Sequence, residues 1–141
     1  MTVERQEVGT AGDACRWVLL VEDAPFVREI LERILTAAGH CCAAVENGAL
    51  ALTAAANTRF DLIITDYDMP DLDGCELIVR LRGRPGPNWT TPIVLLSGYA
   101  GDNDLAERAL TAGADAVLAK PIVISEVLAT LARLMHPRSA R

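Results

Sequence analysis

Five polar side chains of this sequence, each at the end of a short apolar run, are of types that could do chemistry together: Glu22, Asp23, Asp66, Ser97 and Lys120. Carboxylates held close together resist joint ionisation, and a cation would relieve that repulsion. Oxygen ligands with few carboxylates and room for water suit Mg²⁺ better than a transition metal. Together, Mg²⁺ and the amine of Lys120, the only lysine in the chain, would neutralise the formal charge of the three carboxylates. Such a site favours a phosphoryl group accepted by Asp66 as nucleophile, with Lys120 and the Ser97 hydroxyl on the phosphoryl oxygens.

The apolar runs that precede these side chains are short and continuous, as expected of strands covered on both faces. Four runs are clear: Val18–Val21, Leu62–Thr65, Ile93–Leu96 and Ala116–Ala119. A weaker fifth run, Cys41–Val45, suits the edge of a sheet.

Segments of helical period lie between the runs. Apolar residues from Val27 to Ala38 recur on one face of a helix, and Ile124–Met135 repeats that spacing. Three shorter helices are predicted over Ala49–Ala56, Glu76–Leu81 and Leu105–Ala112. Strand and helix therefore alternate five times, which predicts an α/β fold with a doubly wound, five-stranded parallel sheet. Since the carboxyl ends of parallel strands share one edge, the five polar side chains should meet there.

The chain of 141 residues has the length of one domain. We predict a flexible N-terminal tail over residues 1–16, the folded domain over 17–136 and a C-terminal tail over 137–141. No apolar run approaches the roughly 18 residues of a membrane span, and the first 16 residues do not have the pattern of a signal peptide. A cytoplasmic location without a membrane partner is therefore predicted. The net charge of −6 argues against a nucleic-acid partner bound without sequence preference.

Four motifs stand at the predicted strand ends: V-L-L-V-E-D at 18–23, D-Y-D-M-P-D-L-D-G at 66–74, L-L-S-G-Y at 95–99 and A-K-P at 119–121. In these motifs and their order, the chain resembles the response-regulator receiver domain of two-component signal transduction over about residues 17–135. The resemblance implies the fold of the chemotaxis regulators, with strand order 2-1-3-4-5. It also implies a phosphoacceptor switch that catalyses only its own phosphorylation and dephosphorylation, and so is not an enzyme in the usual sense.

By this resemblance, Asp66 is the phosphoacceptor. The Mg²⁺ is held by Asp23, Asp66 and the backbone carbonyl of Asp68, and Glu22 acts on the metal largely through water. The bond between Lys120 and Pro121 is expected to be a cis peptide. The implied phosphodonor is a sensor histidine kinase or a histidine phosphotransfer protein.

Phosphorylation is expected to shift a population of conformers. The resemblance implies that Ser97 and the loop after it move toward the phosphoryl oxygens, and Gly98 gives that loop freedom. Tyr99 could report on the same loop or be a partly exposed loop aromatic. The face formed by the fourth helix, the fifth strand and the fifth helix then changes its partner preference. The usual receiver pattern has an aromatic residue three positions before the lysine, whereas this chain has Val117. The aromatic half of the familiar switch is therefore missing.

Several side chains near the predicted site allow two interpretations. The Asp68 carboxylate could alter dephosphorylation or metal affinity, or it could simply be solvated. Phe26 could dock the donor or be an isolated residue at the rim of the site. The pattern of arginines at positions 80, 82 and 84 indicates either a solvated face or a contact patch for an acidic partner, formed by Arg80, Arg82 and Arg84.

Two other functions fit part of the sequence. Phosphatases of the haloacid dehalogenase type close their first strand with D-x-D-x-T or D-x-D-x-V. Here D-Y-D-M at 66–69 follows the third predicted strand, and Pro70 replaces the Thr or Val. An unphosphorylated scaffold is a second alternative, which Val117 favours and the complete set of clustered carboxylates opposes.

The context of the domain is less constrained by the sequence. The starting Met and the N-terminal tail favour a stand-alone regulator over the receiver segment of a hybrid kinase. The signal is expected to leave through an unidentified downstream protein, and the chain is expected to be a monomer or a phosphorylation-dependent dimer. The sequence identifies neither the cognate kinase nor the lifetime of the phosphoryl group.

Overall fold

A computed structural model describes residues 15–83, 85–98 and 103–135, and within these ranges five strands alternate with five helices. The strands are β1 (Trp17–Val21), β2 (Cys41–Val45), β3 (Leu62–Asp66), β4 (Ile93–Ser97) and β5 (Ala116–Ala119). The helices are α1 (Pro25–Ala37), α2 (Gly48–Asn57), α3 (Gly74–Arg82), α4 (Asn103–Ala112) and α5 (Ile124–Leu134). None of these described helices combines the length and the apolar character that crossing a membrane requires.

All five strands are parallel, in the order β2-β1-β3-β4-β5. The predicted fold class is confirmed, and so is the strand order that the resemblance implied. The weaker apolar run, β2, lies at an edge of the sheet as predicted, and its first four residues are only partly buried.

Alternate side chains of the central strands enter two separate cores. Leu19, Ile63 and Leu95 pack beneath α2, α3 and α4, whereas their strand neighbours pack beneath α1 and α5. Because helices cover both faces, β1, β3 and β4 are buried along their whole length. Burying each large apolar side chain stabilises the fold by about 1.5–3 kcal/mol before the entropy of ordering is counted.

Local signals set several helix ends. Pro25 occupies the first turn of α1, where its missing N–H is not needed. Asp73 and Glu76 form a capping box at the start of α3, with hydrogen bonds of 2.8 and 2.9 Å. Gly39 and Gly113 follow α1 and α4 with positive φ angles of 95° and 123°, as glycine commonly does at the end of a helix.

Arg82 does not belong to a solvated basic face, so that interpretation of it was wrong. Its guanidinium donates hydrogen bonds to the Gly113 carbonyl at 2.9 and 3.1 Å and to Asp115 Oδ2 at 3.0 Å. It also donates to the Trp89 carbonyl at 2.9 Å, while the Trp89 indole donates to the Arg82 carbonyl at 3.0 Å. Arg82 therefore joins the end of α3 to the turn before β5. Arg84 lies outside the described residues.

The predicted tails lie almost entirely outside the described residues. Arg16, the last residue of the predicted N-terminal tail, donates a hydrogen bond to the Met135 carbonyl at 3.1 Å. Its own carbonyl accepts one from the Cys41 amide at 2.9 Å. The exact domain boundaries stay a prediction.

Candidate functional site

The predicted site residues lie at the carboxyl edge of the sheet because four strands end there in register. Val21 pairs with Thr65, which places Glu22 beside Asp66. Asp66 in turn pairs with Leu96, and Ser97 pairs with the residue before Lys120. The parallel sheet thus brings together groups that are far apart in the sequence.

An acidic cluster is formed by the carboxylates of Glu22, Asp23 and Asp66. One oxygen atom from each carboxylate lies within 4.8 Å of an oxygen atom from each of the other two. Glu22 is fully buried and Asp66 is 3% exposed, whereas Asp23 is exposed. Burial, followed by the charge of Asp66, raises the pKa of Glu22, and the nearby ammonium of Lys120 partly offsets that rise. Of the three carboxylates in the cluster, only that of Asp23 is therefore exposed to solvent.

Lys120 supplies the positive charge inside the cluster. Its Nζ atom lies 3.0 Å from Asp66 Oδ1 and 3.2 Å from Glu22 Oε1. Burial alone would lower the pKa of Lys120, but the hydrogen bond and charge of Asp66, together with those of Glu22, outweigh it and raise that pKa. The amine is therefore a cation at neutral pH. The peptide bond between Lys120 and Pro121 is cis.

The first turn of α1 fixes the buried carboxylate of Glu22. The Ala24 amide donates to Glu22 Oε2 at 3.2 Å, and the Arg28 guanidinium donates to the Glu22 carbonyl at 2.9 Å. The Glu22 amide donates to the Val45 carbonyl at 3.1 Å. Arg28 was not among the predicted site residues, since no motif distinguishes it from the other arginines of a helix surface.

The start of α3 packs directly against the backbone at the end of β3. A Cβ atom built on Gly74 would lie 2.5 Å from the Asp66 carbonyl oxygen and 2.9 Å from the Tyr67 Cα. The Gly74 amide donates to the Tyr67 carbonyl at 2.9 Å, and the Thr65 hydroxyl donates to the Asp66 carbonyl at 3.0 Å. Only glycine allows this approach. Gly74 closes the second sequence motif, but it was not predicted to support the site.

The remaining predicted residues lie around the cluster. Ser97 is buried at the end of β4, and Gly98 and Asp68 are exposed. Val117 is half-buried on β5 and packs against the core beneath α2, α3 and α4. Tyr99 lies outside the described residues. The roles assigned to these positions stay predictions.

The acidic cluster suits a hard divalent cation. All its ligand atoms are carboxylate oxygens, and the exposed Asp23 leaves room for water ligands, as Mg²⁺ prefers. With Lys120 as the neighbouring cation, the three carboxylates retain a net negative charge that a divalent ion would neutralise. The donor set therefore fits the predicted metal.

Residues 18–132 match a family model described as the response regulator receiver domain. The chain belongs to this family. It is therefore a receiver domain of two-component signalling, which is a regulatory domain, and the predicted family is confirmed.

Two curated relatives place the receiver in a wider context. It is 40% identical over 112 residues to the gliding motility regulatory protein of Myxococcus xanthus, a match that covers 79% of this chain and 14% of that protein. It is 35% identical over 124 residues to the transcriptional regulatory protein KdpE of Mycobacterium tuberculosis, covering 87% of this chain and 52% of KdpE. The chain thus spans about half the length of one of these relatives and much less of the other.

A solved receiver structure has the same fold. The receiver domain of a sensor histidine kinase from Pseudomonas aeruginosa matches with a TM-score of 0.78 and 32% identity, over 86% of this chain and 98% of that one. That neighbour holds a magnesium ion in its active site cleft. The receiver described here has its acidic cluster at the carboxyl edge of the same fold.

Proposed function

We propose that this receiver accepts a phosphoryl group on Asp66, from a histidine kinase or a histidine phosphotransfer protein, and changes conformation in response. The observation that carries the proposal is the 3.0 Å contact between the Lys120 ammonium and Asp66 Oδ1, inside a cluster of three carboxylates. Membership of the family supports the donor class, because receiver domains are phosphorylated by histidine kinases.

In the proposed transfer, an oxygen of the Asp66 carboxylate donates an electron pair to phosphorus. The bond from phosphorus to the donor's leaving group breaks, and the leaving group keeps the electron pair of that bond. Lys120 would contact the phosphoryl oxygens. The hydroxyl of Ser97 would contact them as well, because Ser97 directly follows Leu96, the residue of β4 that pairs with Asp66. The product is an aspartyl phosphate, which brings additional negative charge into the cluster.

Asp23, Asp66 and the backbone carbonyl of Asp68 would hold Mg²⁺, and Glu22 would act on it largely through water. When bound, the metal supplies positive charge that stabilises the transferring phosphoryl group. The composition of the acidic cluster supports this assignment, and so does the magnesium ion in the Pseudomonas aeruginosa neighbour.

The proposed metal site makes a prediction for thermal stability. A magnesium concentration ten times the Kd would stabilise the folded receiver by about 1.4 kcal/mol, enough to raise the Tm by several degrees. Asp23→Asn removes one proposed ligand and should sharply reduce that rise. Differential scanning fluorimetry across a magnesium titration measures the effect.

Glu107→Gln is the matched control, because Glu107 is an exposed carboxylate on α4 outside the cluster. It should keep the whole magnesium-dependent rise in Tm. An equal rise in wild type, Asp23→Asn and Glu107→Gln would contradict a magnesium site at the cluster.

The conformational response is proposed to pass from Ser97 through Gly98 to α4 and the face formed by α4, β5 and α5. Among its described residues, α4 buries only Leu105 and Ala109. A helix held by so few apolar side chains opens or shifts more readily than one anchored along its whole length. This light anchoring allows α4 to move but does not distinguish it from α1, which also buries only two side chains, Leu31 and Leu35.

Incubation with acetyl phosphate tests the proposed function. With Mg²⁺ present, intact mass spectrometry should detect the addition of one phosphoryl group to wild-type protein, and chelation of the metal should prevent it. Continuous release of phosphate from an unrelated phosphate ester would instead support the phosphatase alternative. A folded protein that takes no phosphoryl group from acetyl phosphate or from histidine kinases would support the scaffold alternative.

Other parts of the predicted function also stay predictions. Phe26, the candidate docking residue, is 73% exposed at the start of α1. One curated relative is a transcriptional regulatory protein of which the chain spans about half, so the predicted lack of a nucleic-acid partner is untested. The same holds for the cytoplasmic location, the downstream protein partner and the oligomeric state.

A further inference from the structure

Tyr67 directly follows the proposed phosphoacceptor, and its main chain is hydrogen-bonded to β4, to α3 and to the loop between β3 and α3. Its amide donates to the Leu96 carbonyl of β4 at 2.8 Å. Its carbonyl accepts from the Met69 amide at 3.1 Å and from the Gly74 amide, at the start of α3, at 2.9 Å. A displacement at the carboxyl ends of β3 or β4 would therefore move Tyr67.

The Tyr67 side chain connects this edge of the sheet to α4. Its half-buried ring packs against the core beneath α2, α3 and α4, and the guanidinium carbon of Arg108 lies 6.0 Å from the ring centroid. A guanidinium within about 6 Å of an aromatic face is attracted by the ring. A side-chain hydrogen bond to Tyr67 raises the pKa of Arg108.

This contact is well placed to respond to small movements. The guanidinium lies at the outer limit of the cation–π range, so a further ångström of separation would weaken the attraction. Val117 packs on the same side of the sheet, but its aliphatic side chain can make neither an aromatic nor a hydrogen-bonded contact with α4. Arg108 belongs to α4 and its side chain is exposed, so burial contributes little to its contact with Tyr67.

We infer that the contact between Tyr67 and Arg108 holds α4 in its position in the unphosphorylated receiver, and that it couples phosphorylation of Asp66 to movement of this helix. The inference rests on the proposed function. A phosphoryl group on Asp66 would draw the end of β4 toward it, and the hydrogen bond from Tyr67 to Leu96 carries that displacement to the ring. Arg108 moves with α4, so the two partners separate.

Loss of the contact should favour the conformer that accepts the phosphoryl group. Arg108→Ala is expected to speed phosphorylation by acetyl phosphate about two- to fivefold, which is the range that an exposed cation–π contact supplies. Tyr67→Leu should do the same, and the double variant should be no faster than either single one. The initial rate of phosphoryl incorporation at saturating Mg²⁺ measures these effects.

Arg80→Ala is the matched control, since Arg80 is also an exposed arginine on a neighbouring helix and its loss changes the net charge equally. It should leave the rate unchanged. A rate for Arg108→Ala equal to or below that of Arg80→Ala, or additive effects in the double variant, would overturn the inference.

Hydrogen exchange of the unphosphorylated protein separates this inference from the proposed function. Arg108→Ala and Tyr67→Leu should increase exchange in α4 and leave α1 unchanged. If no variant accepts a phosphoryl group, the proposed function fails, yet the exchange rates still decide whether the contact holds α4. Unchanged exchange in α4 would overturn the inference whatever the phosphorylation results.

Discussion

Asp66→Asn is expected to abolish the phosphoryl adduct that wild-type protein forms with acetyl phosphate and Mg²⁺. Asparagine has nearly the same shape as aspartate, but its neutral amide is a poor nucleophile. The substitution also removes the charge that lies 3.0 Å from Lys120 and leaves Glu22 as the remaining carboxylate in contact with that amine. Intact mass spectrometry measures the loss, and circular dichroism checks that the variant is folded.

Asp68→Asn provides a matched control two residues further along the chain. It makes the same chemical change at an exposed side chain, and the backbone carbonyl proposed to contact Mg²⁺ is retained. The adduct should still form, and its decay rate shows whether the Asp68 carboxylate influences dephosphorylation. An adduct on Asp66→Asn would place the phosphoacceptor elsewhere, and loss of the adduct in both variants would point to total charge rather than to one nucleophile.

The arrangement of the site could be predicted from the sequence because one property of the fold, the parallel pairing of its strands, brings the site residues together. Four apolar runs end in Glu22, Asp66, Ser97 and Lys120, and parallel pairing brings all such ends to one edge. The pattern of runs and helices implies a parallel sheet but does not determine which strands are neighbours. The order β2-β1-β3-β4-β5 was available only from the resemblance to receiver domains.

The contacts that support the site were harder to predict, since each depends on distances between elements. Arg82 is identical in type to the nearby exposed Arg80, and its partners Gly113 and Asp115 lie more than 30 residues away. A glycine at a helix start is compatible with several roles, so Gly74 gave no indication that a backbone carbonyl lies where its Cβ would be. The approach of Arg108 to Tyr67 likewise depends on how α4 packs.

Gly74→Ala is expected to destabilise the receiver by about 1–3 kcal/mol, although alanine is the better helix former. The added Cβ would lie 2.5 Å from the Asp66 carbonyl oxygen and 2.5 Å from Leu95 Cδ1, and backbone atoms cannot yield as a flexible side chain can. Relief of this clash would push α3 away from the end of β3. The phosphoacceptor would then be displaced, so the rate of phosphorylation by acetyl phosphate should fall along with the stability measured by urea unfolding.

Gly86→Ala is the control for the general effect of replacing a glycine. No atom lies within 4 Å of a Cβ built at Gly86, and its φ angle is not positive, so an alanine there meets no obstacle. This variant should be as stable as wild type or slightly more stable, because alanine restricts the unfolded chain. Equal stability of the two variants would contradict the close approach of α3 to Asp66. A destabilised Gly74→Ala with a normal phosphorylation rate would show that α3 stabilises the fold without positioning the phosphoacceptor.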